Sequence, residues 1–323
     1  IRRIRLTVNK IDFSFSDTVA GYVENVAVDP QSFSVKTSDG RPFEIKMTSA
    51  TYAEVARNLG DSYEDAMGRL GDFLVPGRYL FAYGVFYPQD GGQVFEAKHL
   101  VFPGTPETPY LFEEQDWWIR QIRQLGDFYV KAQFDGGAID YRKYRTKIAI
   151  NGIKTGDNRQ EIDTISRLVY GMASAYLLTG EDKYLEAAEK GTDYLRENAR
   201  FRDESQGIVY WYHALDVEPD GSLKKILPSQ FGDDYGSIPT YEQIYALAGP
   251  TQTYRVTGDP RILSDVEGTI NLFDRFLLDR EGEGYFSHLD PVTLDPKAES
   301  LGQNRAKKNW NSVGDHAPAY LIN

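Results

Sequence analysis

Lys308, Asn311, Asp315 and His316 form the densest group of chemistry-bearing side chains in the sequence. An aspartate next to a histidine offers a proton acceptor and its partner where burial raises the carboxyl pKa. The same pair also reads as an aspartate capping the helix that carries the histidine. Tyr241 and Gln243, two positions apart, present a hydroxyl and an amide to a polyhydroxylated ligand, although tyrosines with satisfied hydroxyls are common in helical cores. Trp211 follows a glycine turn, where its ring can stack on such a ligand. Asp233 and Asp234, in FGDDYGSIP, read as groups for hydroxyls or a cation, or as ordinary loop residues. Arg167 has Asp163 and Glu161 as acidic neighbours near a helix start. His99, in a β-rich stretch, reads as structural.

Composition narrows the chemistry. The 323 residues hold no cysteine, which excludes disulfides, thiolate nucleophiles and Cys-ligated zinc or iron–sulfur sites, and four histidines leave little room for a His-rich metal centre. Acidic residues outnumber basic ones by 48 to 36, for a net charge of −12. The excess is spread out, with 14 acidic and 11 basic residues over 1–110 and 34 and 25 beyond. Neither part offers the clustered Lys and Arg that a phosphate backbone needs, so nucleic acid is not expected as a partner. No apolar run approaches the roughly 20 residues of a membrane helix, and the opening IRRIRLTVNK lacks a signal-peptide core. The expectation is a cytoplasmic protein with no membrane partner. An aromatic share of 13%, with 22 Tyr, fits a ring-packed core or stacking on neutral polar ligands such as sugars.

The elements that must position these residues fall into two regions, which makes the expected class multi-domain α+β. Residues 1–104 read as a small barrel. IRRIRLTV and TVAGYVEN alternate apolar and polar, and FSVKTSDGRPFEIKM is a hairpin around Ser38-Asp39-Gly40. SATYAEVARNLG and DSYEDAMGRLGDFL read as helical, with Ser49 and Asp61 as caps. RYLFAYGVFYP and QVFEAKHLVF form a second hairpin across Gln89-Asp90-Gly91-Gly92. Three strands, a helix and two strands is the order of an OB-like barrel, here with a docking or structural role. PGTPETPY, at 103–110, marks the boundary, because proline fixes φ and lacks an N–H. Residues 105–323 then turn helical, in FEEQDWWIRQIRQLGDFYVKAQF (Trp117, Ile119, Ile122, Leu125) and DTISRLVYGMASAYLLTG (Ile165, Leu168, Val169, Met172, Tyr176). The stretch between them, DGGAIDYRKYRTKIAINGIKTGDNRQ, reads as a long functional or disordered loop.

The helical region repeats itself. AYLLTGEDKYL at 175–185 matches TYRVTGDPRIL at 253–263, with Tyr176 and Tyr254 lying 78 positions apart. In both, Gly180 or Gly258 can take the left-handed conformation that ends a helix. A return helix follows (182–196 and 260–277), then an acidic glycine turn and a Tyr-x-x-His, Tyr210 to His213 and Tyr285 to His288. Recurrence at equivalent positions argues that these histidines pack loops. Helix pairs of this kind must stack, since no pair buries its apolar face alone. HAPAYLIN begins a third copy that stops at Asn323, so the expectation is a fragment of a longer toroid.

Residues 160–323 resemble the N-acylglucosamine 2-epimerase superfamily, which includes cellobiose 2-epimerases and mannose isomerases. Three motifs carry the resemblance: Arg167 through Gly180-Glu181, Asp203 through Gly207-Ile208-Val209-Tyr210-Trp211, and Tyr241-Glu242-Gln243-Ile244-Tyr245-Ala246-Leu247. The resemblance implies the first half of an (α/α)6 toroid, with Arg167 aimed at sugar oxygens and Trp211 at the rim. It also implies proton removal and return at the carbon beside an aldehyde, through an enediol whose oxyanion needs donors. Lys308-Asn309-Trp310-Asn311-Ser312 fits the family's Lys-x-x-Asn-Thr-His-x-His pattern, but Val313 and Asp315 stand where it has histidines. His316 comes one residue late, a rotation of about 100° on a helix.

The function expected is therefore a sugar epimerase or isomerase without metal or redox cofactor, acting on a mono- or disaccharide. Asp315 and His316 are its expected proton-transfer groups. Arg167, Trp211, Tyr241, Gln243, Lys308 and Asn311 are expected to hold the substrate. The alternatives are a non-catalytic glycan-binding or assembly protein on the same toroid, and a glycosidase or lyase using carboxylates such as Asp234 and Asp315. A homo-oligomer, or a partner docked through the front barrel, stays open.

Overall fold

The computed structural model describes residues 13–27, 31–57, 62–108 and 114–316, without the side chains of Asn311, Asp315 and His316. The chain divides into two compact units, 1–118 and 119–323.

The first unit contains β1 (Phe15–Val26), β2 (Ser32–Lys36), β3 (Pro42–Lys46), β4 (Tyr52–Val55), the single turn α1 (Leu70–Phe73), β5 (Tyr79–Gln89) and β6 (Gly92–Phe102). β1 pairs antiparallel with β2 and β5, β2 with β3, and β5 with β6, while β3 closes on β6 in parallel. The ring β1-β2-β3-β6-β5 is a small five-stranded barrel around Phe33, Val35, Ile45, Leu80 and Leu100. Asp90 and Gly91, both at positive φ, make the tight turn expected between β5 and β6. The helix expected over SATYAEVARNLG is replaced by β4, which lies parallel to β6. Its Ala53 and Val55 alternate inward with Tyr52 outward, a two-residue period that overrides the helical spacing. Ser49 accordingly sits in a turn rather than at a helix cap. IRRIRLTV and Asp61 lie outside the described residues.

The second unit begins within α2 (Trp117–Phe134), at Ile119, and runs through β7 (Arg159–Glu161), α3 (Ile162–Thr179), α4 (Asp182–Asn198), β8 (Arg200–Asp203), β9 (Ile208–Trp211), β10 (Ala214–Val217) and β11 (Leu223–Ile226). There follow β12 (Ile238–Pro239), α5 (Thr240–Thr257), α6 (Pro260–Leu272), β13 (His288–Leu289) and a wide π-type turn over Trp310–His316. The segment expected as a long loop after α2 is a packed connector. Tyr141 and Tyr144 are buried in it, Tyr141 donates its hydroxyl to Ala187 O at 2.9 Å, and Gln160 Nε2 ties both tyrosine carbonyls at 2.8 Å.

The repeat is present in the backbone. α3 and α5 end on Gly180 and Gly258 at φ 69° and 67°, each donating its N–H to a tyrosine carbonyl one turn back. Each inner helix is preceded by a strand that pairs with the strand returning after its hairpin, β7 with β10 and β12 with β13. α3 packs directly on α5 through a close approach that glycine permits: a Cβ on Gly249 would sit 2.3 Å from Ser166 O. Pro250, inside α5, cannot donate to Ala246 O. Ser166 supplies the missing donor at 3.1 Å, and its Oγ accepts from Gly249 N at 2.8 Å. From Thr240 to Pro250, α5 is buried at every position except Tyr241, which is half-buried. That is the pattern of a helix enclosed on all sides rather than amphipathic.

Candidate functional site

The histidines reveal a register shift between the repeats. Glu161 pairs with Ala214, and Pro239, its counterpart before α5, pairs with His288. Ile162 N donates to His213 O, and Thr240 N donates to Ser287 O. His213 therefore corresponds to Ser287, and His288 to Ala214, which corrects the expectation that the two histidines are equivalent. Adjacent strand residues face opposite ways, so each histidine meets a different carboxylate.

His213, 4% exposed, points Nδ1 at Glu242 Oε1 over 3.1 Å, and its ring meets Phe231 edge-on at 4.6 Å. Ser229 Oγ donates to the same oxygen at 2.7 Å. His288, fully buried, places Nε2 2.6 Å from Asp234 Oδ1 and Nδ1 2.9 Å from Ser287 Oγ. Burial alone would raise Asp234, but hydrogen bonds from His288 and Tyr241 hold its carboxyl below the ordinary range. Burial pushes the Tyr241 hydroxyl far up, and the charges of Glu242, Asp234 and Asp163 push it further, so it stays protonated. Asp163, in the first turn of α3, is also raised by burial, against the pull of Arg167 one turn on. Glu161 is raised by burial and by Asp163.

Arg167 completes the cluster. Its Nη1 is 3.2 Å from Asp163 Oδ2 and its guanidinium lies 4.2 Å over the Tyr245 ring, while half of the side chain stays exposed. The N-terminal ends of α3 and α5 thus gather Asp163, Arg167, Tyr241, Glu242 and Tyr245, with His213 and Asp234 brought in by loops and His288 by β13. A fixed cation, a protonated phenol and an ionised carboxylate together can bind hydroxyls and stabilise an oxyanion. A cavity of about 340 Å³ runs along α2 and α3, lined chiefly by apolar residues such as Ile122, Leu125, Leu168 and Met172, and it touches this cluster through Arg167. Among the described residues, no group of three or more His, Asp or Glu side chains is arranged to hold a metal ion, and no helix is long and apolar enough to cross a membrane.

Of the residues expected from sequence, Arg167 and Tyr241 meet here. Trp211 does not. It is 1% exposed, with Nε1 donating to Thr269 at 3.1 Å, so its ring packs the core instead of stacking at a rim. Gln243 is likewise committed, accepting from Trp211 N at 2.7 Å and donating to Trp211 O at 3.1 Å. Lys308 bonds Asp279 at 2.7 Å and the carbonyls of Gly282 and Glu283, using all three ammonium donors on the turn after α6. Backbone 310–316, which carries Asn311, Asp315 and His316, forms the wide turn, and Val313 N donates to Asn309 O at 3.0 Å. Sequence reasoning gave Glu242 no role and took both histidines as loop-packing residues, while Asp234 stood there as a group for hydroxyls or a cation, a glycosidase carboxylate, or an ordinary loop residue.

The chain matches no known protein family and no curated protein. Among its structural neighbours are sugar epimerases, a D-mannose isomerase and an alpha-1,6-mannanase. They include cellobiose 2-epimerase from Spirochaeta thermophila, at 19% identity and TM-score 0.44, over 55% of this chain and 42% of that one. Cellobiose 2-epimerase from Bacillus thermoamylovorans shows 12% identity and TM-score 0.46, over 67% and 54%. A D-mannose isomerase shows 17% identity and TM-score 0.44, over 65% and 50%. The chain spans about half the length of these proteins.

Proposed function

We propose that the helical unit, taken as residues 105–323, binds an open-chain aldose and moves the proton on the carbon beside its carbonyl, as a sugar epimerase or isomerase. The observation that supports this is the half-exposed Arg167 guanidinium, pinned by Asp163 and Tyr245 at the end where Tyr241 and Asp234 also lie. Removing the proton leaves an enediolate, and Arg167 offers its negative oxygen fixed N–H donors. Tyr241 holds a sugar hydroxyl. Asp315 and His316, on the following turn, take and return the proton, with Asn311 beside them as a further substrate contact. The sugar is neither oxidised nor reduced overall, so no redox cofactor enters. The enclosed His213 and His288 orient other groups rather than touch substrate. We read the front barrel, residues 1–104, as OB-like, a reading that its five-stranded ring supports, with a docking or structural role.

The experiment is incubation of the protein with mannose, N-acetylmannosamine and cellobiose in D₂O. Deuterium at the carbon beside the carbonyl of at least one sugar is the expected result, and its absence from all three overturns the reading. A second reading, a glycan-binding protein without turnover, is favoured by the enclosure of both cluster histidines and by Val313 and Asp315 at the expected histidine positions. Calorimetric binding of any of these sugars without exchange would select it.

A further inference from the structure

The cavity along α2 and α3 suits a different chemistry from the polar cluster that it touches. α2 gives it Ile122 and Leu125, the connector gives Tyr144 and Ile148, and α3 gives Leu168 and Met172, so three segments of chain wall it. Its polar lining is committed to the protein. Gln133 donates to Arg145 O at 2.9 Å and accepts from Arg145 N at 3.0 Å. The Tyr144 hydroxyl donates to Thr164 Oγ1 at 2.9 Å, and Thr164 Oγ1 donates in turn to Glu161 O at 2.9 Å. Thr146 Oγ1 accepts from Glu161 N at 2.7 Å. A sugar in this space would exchange its hydrogen bonds to water for contact with Leu125, Leu168 and Met172, which an apolar chain would not. Arg167 is the sole charged residue of the lining. Asp163 and the Tyr245 ring fix its guanidinium, and half of its side chain stays exposed. From Arg167 to Ala175 the lining follows α3 for about 12 Å. Gly171 stands midway, and a Cβ built there meets nothing within 4 Å, so the space reaches the helix backbone. The volume, about 340 Å³, falls in the range of small-molecule sites.

We propose that this cavity binds a single-chain carboxylate amphiphile, a medium-chain fatty acid, with its tail along α3 and its carboxylate on Arg167. The tail leaves water for apolar walls. A carboxylate is the head group that a planar guanidinium matches best. An extended tail of on the order of ten carbons fits the length from Arg167 to Ala175. The binding is non-covalent. The inference goes beyond the carbohydrate reading and does not rest on it, since the two share only Arg167.

The test is a titration of the whole protein with decanoate below its micelle concentration, and with decanol and acetate as the tail and the head alone. Of the three methionines, Met47 and Met67 belong to the barrel and Met172 lines the cavity, so methyl-labelled methionine reports the site directly. Met172→Leu assigns its resonance. Decanoate should move the Met172 methyl resonance saturably and leave those of Met47 and Met67 in place. Acetate should not bind, and decanol should bind about tenfold or more weakly than decanoate, the worth of a hydrogen bond to a charged group. Arg167→Met should bring decanoate down to the affinity of decanol and leave decanol unchanged. Gly171→Leu should fill the space and cost at least about tenfold in affinity for both; where that variant fails to fold, Arg167→Met carries the decision. Equal affinity for decanoate and decanol, a Met172 resonance that does not move, or no binding at all overturns the proposal. So does a dimer in sedimentation that Gly171→Leu dissociates, which would give this face to a second copy of the chain. Failure of deuterium exchange into sugars defeats the carbohydrate reading alone and leaves each of these outcomes as it stands.

Discussion

At the 78-residue offset of the repeat, Gly171 of α3 answers to Gly249 of α5, Arg167 to Tyr245, and Ser174 to Gln252. Stacking one hairpin on the next brings several such counterparts into contact: Arg167 lies over Tyr245, and Gln252 Nε2 donates to Ser174 Oγ at 3.0 Å. The face by which α5 presses on α3 carries Gly249. The same face of α3, with Arg167, Leu168, Gly171, Met172 and Ala175, lines the open cavity instead. One backbone plan thus yields a helix locked on all sides and a helix with one side free. The repeat sets where a close-approach face lies, and the neighbour decides whether its small residue is required.

The largest effect should come from setting these two glycines against each other. A Cβ at Gly249 meets backbone at Ser166 O, which cannot rotate away, whereas a Cβ at Gly171 meets nothing within 4 Å. Gly249→Ala is expected to cost about 3 kcal/mol as overpacking against backbone. Gly171→Ala should instead gain roughly 0.5–1 kcal/mol from helix propensity. Urea denaturation of both variants measures the contrast, and equal losses would show that the two faces do not differ.

Ser166 sharpens the same comparison at a smaller scale. Its counterpart in α5 is Ile244, and the counterpart of Pro250 in α3 is Met172, so only one helix of the pair needs a hydroxyl to stand in for a missing backbone donor. Ser166→Ala leaves Ala246 O unmatched in the core and should cost about 1–3 kcal/mol. Adding Pro250→Ala restores an N–H at that carbonyl, so the double variant should lose less than Ser166→Ala alone. Simple additivity in thermal unfolding would remove the claim that Ser166 repairs the proline.

Much of this was legible in the sequence, and the reasons for the misses are specific. The two helix hairpins, their glycine ends and the barrel's tight turns follow from local chemistry and spacing, and they stand in the structure. β4 was misread because Tyr52–Val55 is too short for its two-residue period to outweigh the helical look of the residues around it. Trp211 and Gln243 were misassigned because a tryptophan after a turn and a glutamine on an inner helix look the same from sequence whether they face ligand or each other. The buried pairs His213–Glu242 and His288–Asp234 could not be read, since each joins residues on elements far apart in the chain and depends on a one-residue slip between the repeats. Arg167 was legible through its own helix, where Asp163 stands one turn earlier.

The smallest expected effects are the pH dependences of two carboxylates, one from each repeat, and their signs are opposite. Asp163 is raised by burial, so its ionised form lowers stability. That cost is absent below the ordinary aspartate value and grows as pH rises through the raised one. Asp163→Asn should therefore be slightly more stable than the parent at pH 7, with the difference closing toward pH 3. Asp279, after α6, is held at about 2, chiefly by Lys308 and then by the turn's N–H groups. Its contribution is complete above the ordinary aspartate value and is lost as pH falls from about 4 toward 2. Lys308→Met should weaken the protein slightly at neutral pH, flatten that acid limb, and leave mannose binding unchanged, because its ammonium serves the turn rather than the cluster. A Lys308→Met protein of parental acid stability that binds mannose poorly would reverse this assignment and return Lys308 to the ligand.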